Sequence, residues 1–250
     1  MSQLRLHEAI QKLYLDRTPE NILGCVNNKD FQSFQESHGL KIPLNELVHA
    51  FTHTSFTHEY GLPHQEILEF LGDSVLQLIL TEELFKLFSN ETEGRLSKLR
   101  SSIVNETSLS RIAQGLKLGD MILVGKGEFK KNLPEQNAVL ADTFEALLAQ
   151  IYRFHGLKFT STLFLKWLEA YLPDALNFAS LEDSDPKSKL QEKSLAKFKK
   201  LPRYVSTEAS VGAFKVELWV DEKLLAQGEF PSKKNGEREL ALSVIKQGLI

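Results

Sequence analysis

A chain of 250 residues, 42% hydrophobic and 25% charged with a net charge of −3, has the composition of a soluble globular protein of one or two domains. Its longest apolar runs, such as VLQLIL at 75–80, are too short to span a bilayer, and its start has no uninterrupted apolar core or small-residue cleavage site, so neither a membrane anchor nor a secretory leader is expected. Cys25 is the one cysteine, which excludes an intramolecular disulfide and fits a reducing cytoplasm.

The pattern is helical up to about Leu172. Residues 4–15 read as an amphipathic helix stopping near Thr18-Pro19, and further helices are expected over 43–54, 64–89, 94–102, 105–115, 134–154 and 158–171. MILVGKGEFKKN at 121–132, with two glycines and a lysine pair, reads as a loop, and PDALNFASLEDS at 173–184 reads as a linker. Beyond it the grammar changes. Asp185 before Pro186 is a good cap and first-turn pair for a helix over 187–200. A strand follows near Arg203–Glu208. VELWV and its neighbours then alternate, placing Phe214, Val216, Leu218 and Val220 on one face. DEK at 221–223 turns into a second hairpin strand, LLAQGEF, and Ser232 caps a closing helix. The order is α-β-β-β-α, so the fold class is α+β: an all-α domain followed by a small mixed one.

The charge divides along the same boundary. From Asp185 onward 13 Lys/Arg stand against 9 Asp/Glu, or +4; the remainder has 17 against 24, or −7. An acidic body with a basic tail domain suggests one part that collects cations and another that holds a polyanion.

The acids of the body are oddly placed. HQEILEFLGDSVL at 64–76 sets Glu66, Glu69 and Asp73 among six large apolar residues. Positions i, i+3 and i+7 share one helix face at about 100° per residue. Ionised carboxylates are costly to bury unless paired or metal-bound. VLADTFEALLAQIY repeats the anomaly with Asp142 and Glu145. Two such helices packed antiparallel would gather Glu69, Asp73, Asp142 and Glu145 around one point. Oxygen-only ligands of this kind suit Mg²⁺, with Mn²⁺ able to substitute, and a phosphodiester is a fitting substrate for such a metal. A different reading makes zinc ligands of His49, His53, His58 and His64, the first two spaced i, i+4; no cysteine supports it.

These stretches resemble the ribonuclease III family. EILEFLGD at 66–73 resembles its signature ERLEFLGD, and FTHTSF at 51–56 its L-T-H-x-S segment. TEGRLSKLRS at 92–101, GKGE at 125–128 and LADTFEAL at 140–147 match three further family segments, in order, across about 120 residues. The resemblance implies a Mg²⁺-dependent endoribonuclease that cuts double-stranded RNA as a homodimer, leaving 5′-phosphate and 3′-hydroxyl ends. It implies that Glu69, Asp142 and Glu145 bind the metal and that Asp73 organises the attacking water, with Glu145 essential beside it. Glu66 and Glu93 match accessory acidic positions, and Gly72 a position kept small for close helix packing. Ile67 and Gln65 depart from the usual Arg and Asn.

The second part resembles a double-stranded RNA-binding domain. DPKSKLQE at 185–192 is similar to its opening helix, with Gln191 and Glu192 where the family reaches ribose hydroxyls. SKKNGERELA at 232–241 is similar to the start of its last helix, setting Lys233 and Lys234 where charge and free backbone N–H groups both favour phosphate. SVGAF at 210–214 is shorter than the family's minor-groove loop. The expected organisation is an N-terminal helical extension over 1–35, a catalytic domain over 36–172, a linker over 173–184 and an RNA-binding domain over 185–250. Processing of rRNA and mRNA precursors in the cytoplasm is the expected task, with no membrane and no small-molecule cofactor. A metal-free, catalytically silent RNA-binding homologue is the alternative, although all six acids are kept.

Overall fold

The computed structural model describes residues 18–26, 28–178, 186–210 and 212–249, together with Glu8 and Ile10. The helix expected over 4–15 otherwise lies outside these residues, as do Asp185 and the second half of the expected linker. The chain divides into two compact units, Met1–Leu176 and Asn177–Ile250.

The described helices of the first unit are α1 (Pro19–Cys25), α2 (Asn28–His38), α3 (Leu44–Ala50), α4 (Thr54–Tyr60), α5 (Glu66–Leu87), α6 (Glu93–Ile103), α7 (Glu106–Gly115), the single turn α8 (Lys126–Phe129) and α9 (Asn137–Tyr171). Helix α1 starts where Thr18 accepts the Asn21 N–H with Pro19 in the first turn, the arrangement that satisfies free helix-end donors at least cost. From α2, Phe31 and Phe34 reach into the core and meet the edge of Phe51. Helix α2 therefore packs on the same core as the helices after it.

The helix expected over 43–54 stops at Ala50, and the helix after it, α4 over Thr54–Tyr60, lies almost wholly beyond the expected range. The chain leaves α3 at Phe51, and Thr52 pairs with Leu123 in a parallel bridge. His53, in an extended conformation, then caps α4 by accepting the Ser55 N–H on Nδ1 at 3.1 Å. Tertiary pairing overrides the local periodicity here. The segment expected as a loop, 121–132, holds only that bridge and the single turn over Lys126–Phe129, and Lys130 and Lys131 are exposed as expected, but Met121–Val124 is buried.

Helix α5 buries Leu68, Gly72, Val75, Leu76, Ile79, Leu80 and Leu84 on one stripe. Its opposite side exposes Ile67, Phe70, Leu78 and Phe85, at 65, 73, 48 and 69%. It is apolar on two faces, so one face remains without a partner within the described chain. Helix α9 breaks at Gly156, whose φ of 76° and ψ of 170° leave the helical region; its two halves match the helices expected over 134–154 and 158–171.

The second unit contains α10 (Pro186–Phe198), β1 (Pro202–Ser210), β2 (Ala213–Val220), β3 (Lys223–Phe230) and α11 (Lys233–Lys246), with an antiparallel sheet ordered β1-β2-β3. The alternation in β2 works as expected: Val216, Leu218 and Val220 are buried, and Phe214 packs beside them. Val216 and Leu218 form the core with Leu190 of α10 and Leu240, Ala241 and Val244 of α11. Asp221 takes a left-handed φ of 56° in the hairpin turn, a conformation that Asp tolerates better than most residues.

Candidate active site

The two acid-bearing helices of the first unit touch. A Cβ built on Gly72 of α5 would lie 1.9 Å from the Glu145 carbonyl oxygen of α9. Glycine in a helix interior costs about 1 kcal/mol relative to alanine; here any side chain would drive the helices apart. Seven residues earlier, Gln65 at the start of α5 accepts a hydrogen bond from Thr143 of α9. Residues 65 and 72 are about 10.5 Å apart along a helix, so an antiparallel α9 would carry Thr143 out of Gln65's reach. The helices advance in the same sense through the contact. The antiparallel expectation fails, but the gathering of acids does not depend on it.

Glu69, Asp73, Asp142 and Glu145 are all half-buried and act on one another. Burial, and then the charges of Asp73, Glu69 and Asp142, push the Glu145 carboxyl up to about 8. Glu69 is raised by burial and by Asp142, Glu66 and Asp73. Asp142 is raised by burial and by Glu106. Among the described residues, no ion pair compensates any of the four. The one hydrogen bond to their carboxylates is weak, from Gln77 Nε2 to Asp73 Oδ1 at 3.3 Å.

The donor set is right in kind for a hard divalent cation: oxygen only, partly desolvated and uncompensated. In spacing it is open. No three acidic, histidine or cysteine side chains among the described residues are close enough to grip an ion as they stand.

The other sequence candidates are spread more widely. Glu66 is exposed, lies 3.6 Å from His64 Nδ1, and bears on Glu69 through its charge. Glu93, in the first turn of α6, accepts a hydrogen bond from Ser97 at 2.8 Å and is not among the charges that raise Glu69, Asp142 or Glu145. Glu106 was not singled out in the sequence. It opens α7 behind the cap Asn105, and its charge reaches Asp142 only because the fold brings α7 beside α9. The histidines have structural tasks. His49 Nε2 donates to the His64 carbonyl at 2.8 Å, and His53 caps α4, so the zinc reading has no gathered ligand set.

The GKGE segment is tied down at its start. The Gly125 N–H donates to Ser55 Oγ and the Lys126 N–H to Glu59 Oε1, both at 2.9 Å. Glu128 then lies near enough to His53 to oppose the loss of its proton, although burial leaves the imidazole below its usual range.

In the second unit Gln191 and Glu192 are exposed on α10, and Lys233 and Lys234 on the first turn of α11. Ser232 caps that helix by accepting the Asn235 N–H. Lys233 Nζ sits 5.4 Å from the centre of the Phe214 ring. Lys187 pairs with Glu237 at 2.5 Å and lies over the Tyr204 ring.

With this geometry in hand, residues 45–172 match the model of a family described as ribonuclease-III-like. Ribonuclease 3 of Campylobacter jejuni strain RM1221 is 38% identical over 201 residues, covering 79% of this chain and 88% of that one. Ribonuclease 3 of Thermobifida fusca is 34% identical over 221 residues, 87% of this chain and 91% of the relative. A solved nuclease domain of C. jejuni ribonuclease III superposes with a TM-score of 0.54 at 39% identity, over 58% of this chain and 97% of that one. A second structure of that domain, with a TM-score of 0.53 at 40% identity over 56% and 96% of the two chains, is described as flexible in a region involved in dimer formation.

Proposed function

The chain belongs to the ribonuclease III family and is an endoribonuclease of that class, and on this premise we propose that it hydrolyses double-stranded RNA with a Mg²⁺ ion held by Glu69, Asp142 and Glu145. The observation that carries the reading is the uncompensated acid cluster, in which a carboxyl is pushed to about 8 with no cation beside it. A bound Mg²⁺ supplies Lewis acidity toward the scissile phosphate and an activated water; Mn²⁺ has the same ligand preference and substitutes.

The chain's own groups divide the rest of the work. Glu145 would hold the ion as a carboxylate, with its proton released to solvent. Asp73, with one oxygen steadied by Gln77, turns the other toward the water and orients it for attack on phosphorus. The products carry 5′-phosphate and 3′-hydroxyl ends. Glu66 and Glu93 line the approach. Residues 36–172 form the catalytic domain, 1–35 a helical extension, 173–184 a linker and 185–250 the RNA-binding domain. In the last, Gln191 and Glu192 meet ribose hydroxyls in the minor groove while Lys233 and Lys234 meet phosphates across the intervening major groove.

The working species is a homodimer. The face of α5 that exposes Ile67, Phe70, Leu78 and Phe85 provides an apolar surface for a second copy. Each subunit then cuts one strand. Precursors of rRNA and mRNA in the cytoplasm are the proposed substrates, a setting in which Cys25 stays reduced.

The test is cleavage of duplex RNA in Mg²⁺ by wild type, Asp73→Asn and Glu145→Gln. Loss of a positioned acid–base or ligand group is expected to slow cleavage by about 10²–10⁴-fold with the fold intact. Unslowed cleavage by both variants contradicts the site assignment. Binding without cleavage by wild type, in Mg²⁺ and in Mn²⁺, identifies the silent homologue instead.

A further inference from the structure

We propose that Gln65 and Thr143 are positioning residues of the site, forming a buried hydrogen bond between the carboxylate-bearing helices that sets Glu69 against Asp142 for the cation. The inference rests on the cation reading of the cluster.

Both side chains are buried, Gln65 at 3% and Thr143 at 0% exposure. Thr143 Oγ1 donates to Gln65 Oε1 at 3.1 Å across 78 residues of sequence. Neither residue spends its side chain in the way its local position favours. Gln65 occupies the cap position of α5 but makes no side-chain bond to that helix, where a shorter polar residue would normally accept a first-turn N–H. Thr52, Thr81, Thr160 and Thr162 each donate to the carbonyl four residues back, the usual outlet for a helical hydroxyl. Thr143 sends its proton to the other helix.

The bond is coupled to the acids on both sides. The Gln65 carbonyl accepts the Glu69 N–H at 2.9 Å, and the Gln65 N–H donates to the Thr52 carbonyl at 2.9 Å. The pair therefore joins α5, the Thr52 segment and α9. Thr143 follows Asp142 directly and precedes Glu145 by two residues. A second fixed point lies at Gly72, against the Glu145 backbone. Gly72 and Gln65 are thus two spaced points, seven residues apart, along the extensive packing of α5 on α9. The Gly72 contact sets Asp73 against Glu145, and the Gln65–Thr143 bond sets Glu69 against Asp142.

The experiment is calorimetric titration of the full chain with Mn²⁺, without RNA, for wild type, Thr143→Val, Thr143→Ser, Gln65→Met and the double variant Gln65→Met/Thr143→Val. Circular dichroism checks that each is folded. Partners that orient metal ligands are typically worth about 10–100-fold in metal affinity. Thr143→Val and Gln65→Met are each expected to weaken Mn²⁺ binding about tenfold. Thr143→Ser, which keeps the hydroxyl, is expected to bind as wild type, and the double variant to be no weaker than the weaker single. Should Thr143→Val fail to fold, Gln65→Met against Thr143→Ser carries the same comparison. Wild-type affinity in both apolar variants overturns the proposal, as do equal losses in Thr143→Ser and Thr143→Val, or losses that simply add in the double variant. A wild type that takes up no Mn²⁺ contradicts the cation reading itself, and this inference with it.

Discussion

In the first unit four carboxylates lie half-buried with no lysine or arginine among the described residues paired to them, and Glu145 is pushed up to about 8. In the second, acids are answered by lysines: Glu237 by Lys187, Asp221 by Lys200, and Glu217 by Lys215 at 2.8 Å. Glu217 is correspondingly held below the usual carboxylate range, by Lys215 first and then by the Trp219 N–H. The same residue types thus carry different information in the two places. Exposed pairs contribute about 0–1 kcal/mol each and reveal little about function. Partly buried like charges are costly, and a fold that keeps them signals a ligand that removes the cost.

The comparison breaks most easily at Gly72. Gly72→Val must push Glu145's backbone away from a contact where even a Cβ has no room. Overpacking of this kind costs about 1–3 kcal/mol or more, and at this chain length each kcal/mol lowers the melting temperature by about 2–4 °C. Thermal unfolding in EDTA is expected to show that loss, with cleavage falling further than stability explains. A variant as stable and active as wild type would mean that the two acid walls do not need their close approach.

A second, smaller effect lies in pH. Glu145 moves from 4.5 to about 8 on folding, so between those values the folded chain holds a proton that the unfolded chain has released. Its contribution to stability is complete below 4.5 and is lost as pH rises through about 8; Glu69 and Asp142 shift in the same direction. The melting temperature of the metal-free protein is expected to fall from pH 6 to pH 9. Glu145→Gln should flatten that slope, and Mg²⁺ should restore wild type at the alkaline end. A slope identical in wild type and Glu145→Gln would place the titration elsewhere.

The second unit should respond only through salt. Removing Lys233 and Lys234 together is expected to lower the slope of log affinity for duplex RNA against log salt by about 1–2, with little change in thermal stability. An unchanged slope would make these lysines a solvated face.

Much of this contrast was readable in the chain. The acids of α5 and α9 stood out because helical spacing put them on one face within apolar runs, and the strands of the second unit because period-two alternation is hard to mistake. What escaped depended on contacts between distant segments. The break between α3 and α4 is imposed by Thr52 meeting Leu123, 71 residues away. The burial of Met121–Val124 follows from the same bridge. Helices α1 and α2 lack a periodic stripe long enough to bound them, and Phe31 and Phe34 gain meaning only against Phe51. Glu106 and the Gln65–Thr143 bond are products of helix packing that no local pattern encodes.

If the cluster is a cation site, it must trade a proton for the ion. Calorimetric titration of the full chain with Mn²⁺ at pH 7, repeated in two buffers of different ionisation enthalpy, reads that exchange directly. With a carboxyl near 8, binding is expected to release about one proton per site, and Glu145→Gln is expected to bind more weakly with most of the release abolished. Proton-neutral binding by wild type, or the same proton release from Glu145→Gln, would contradict it.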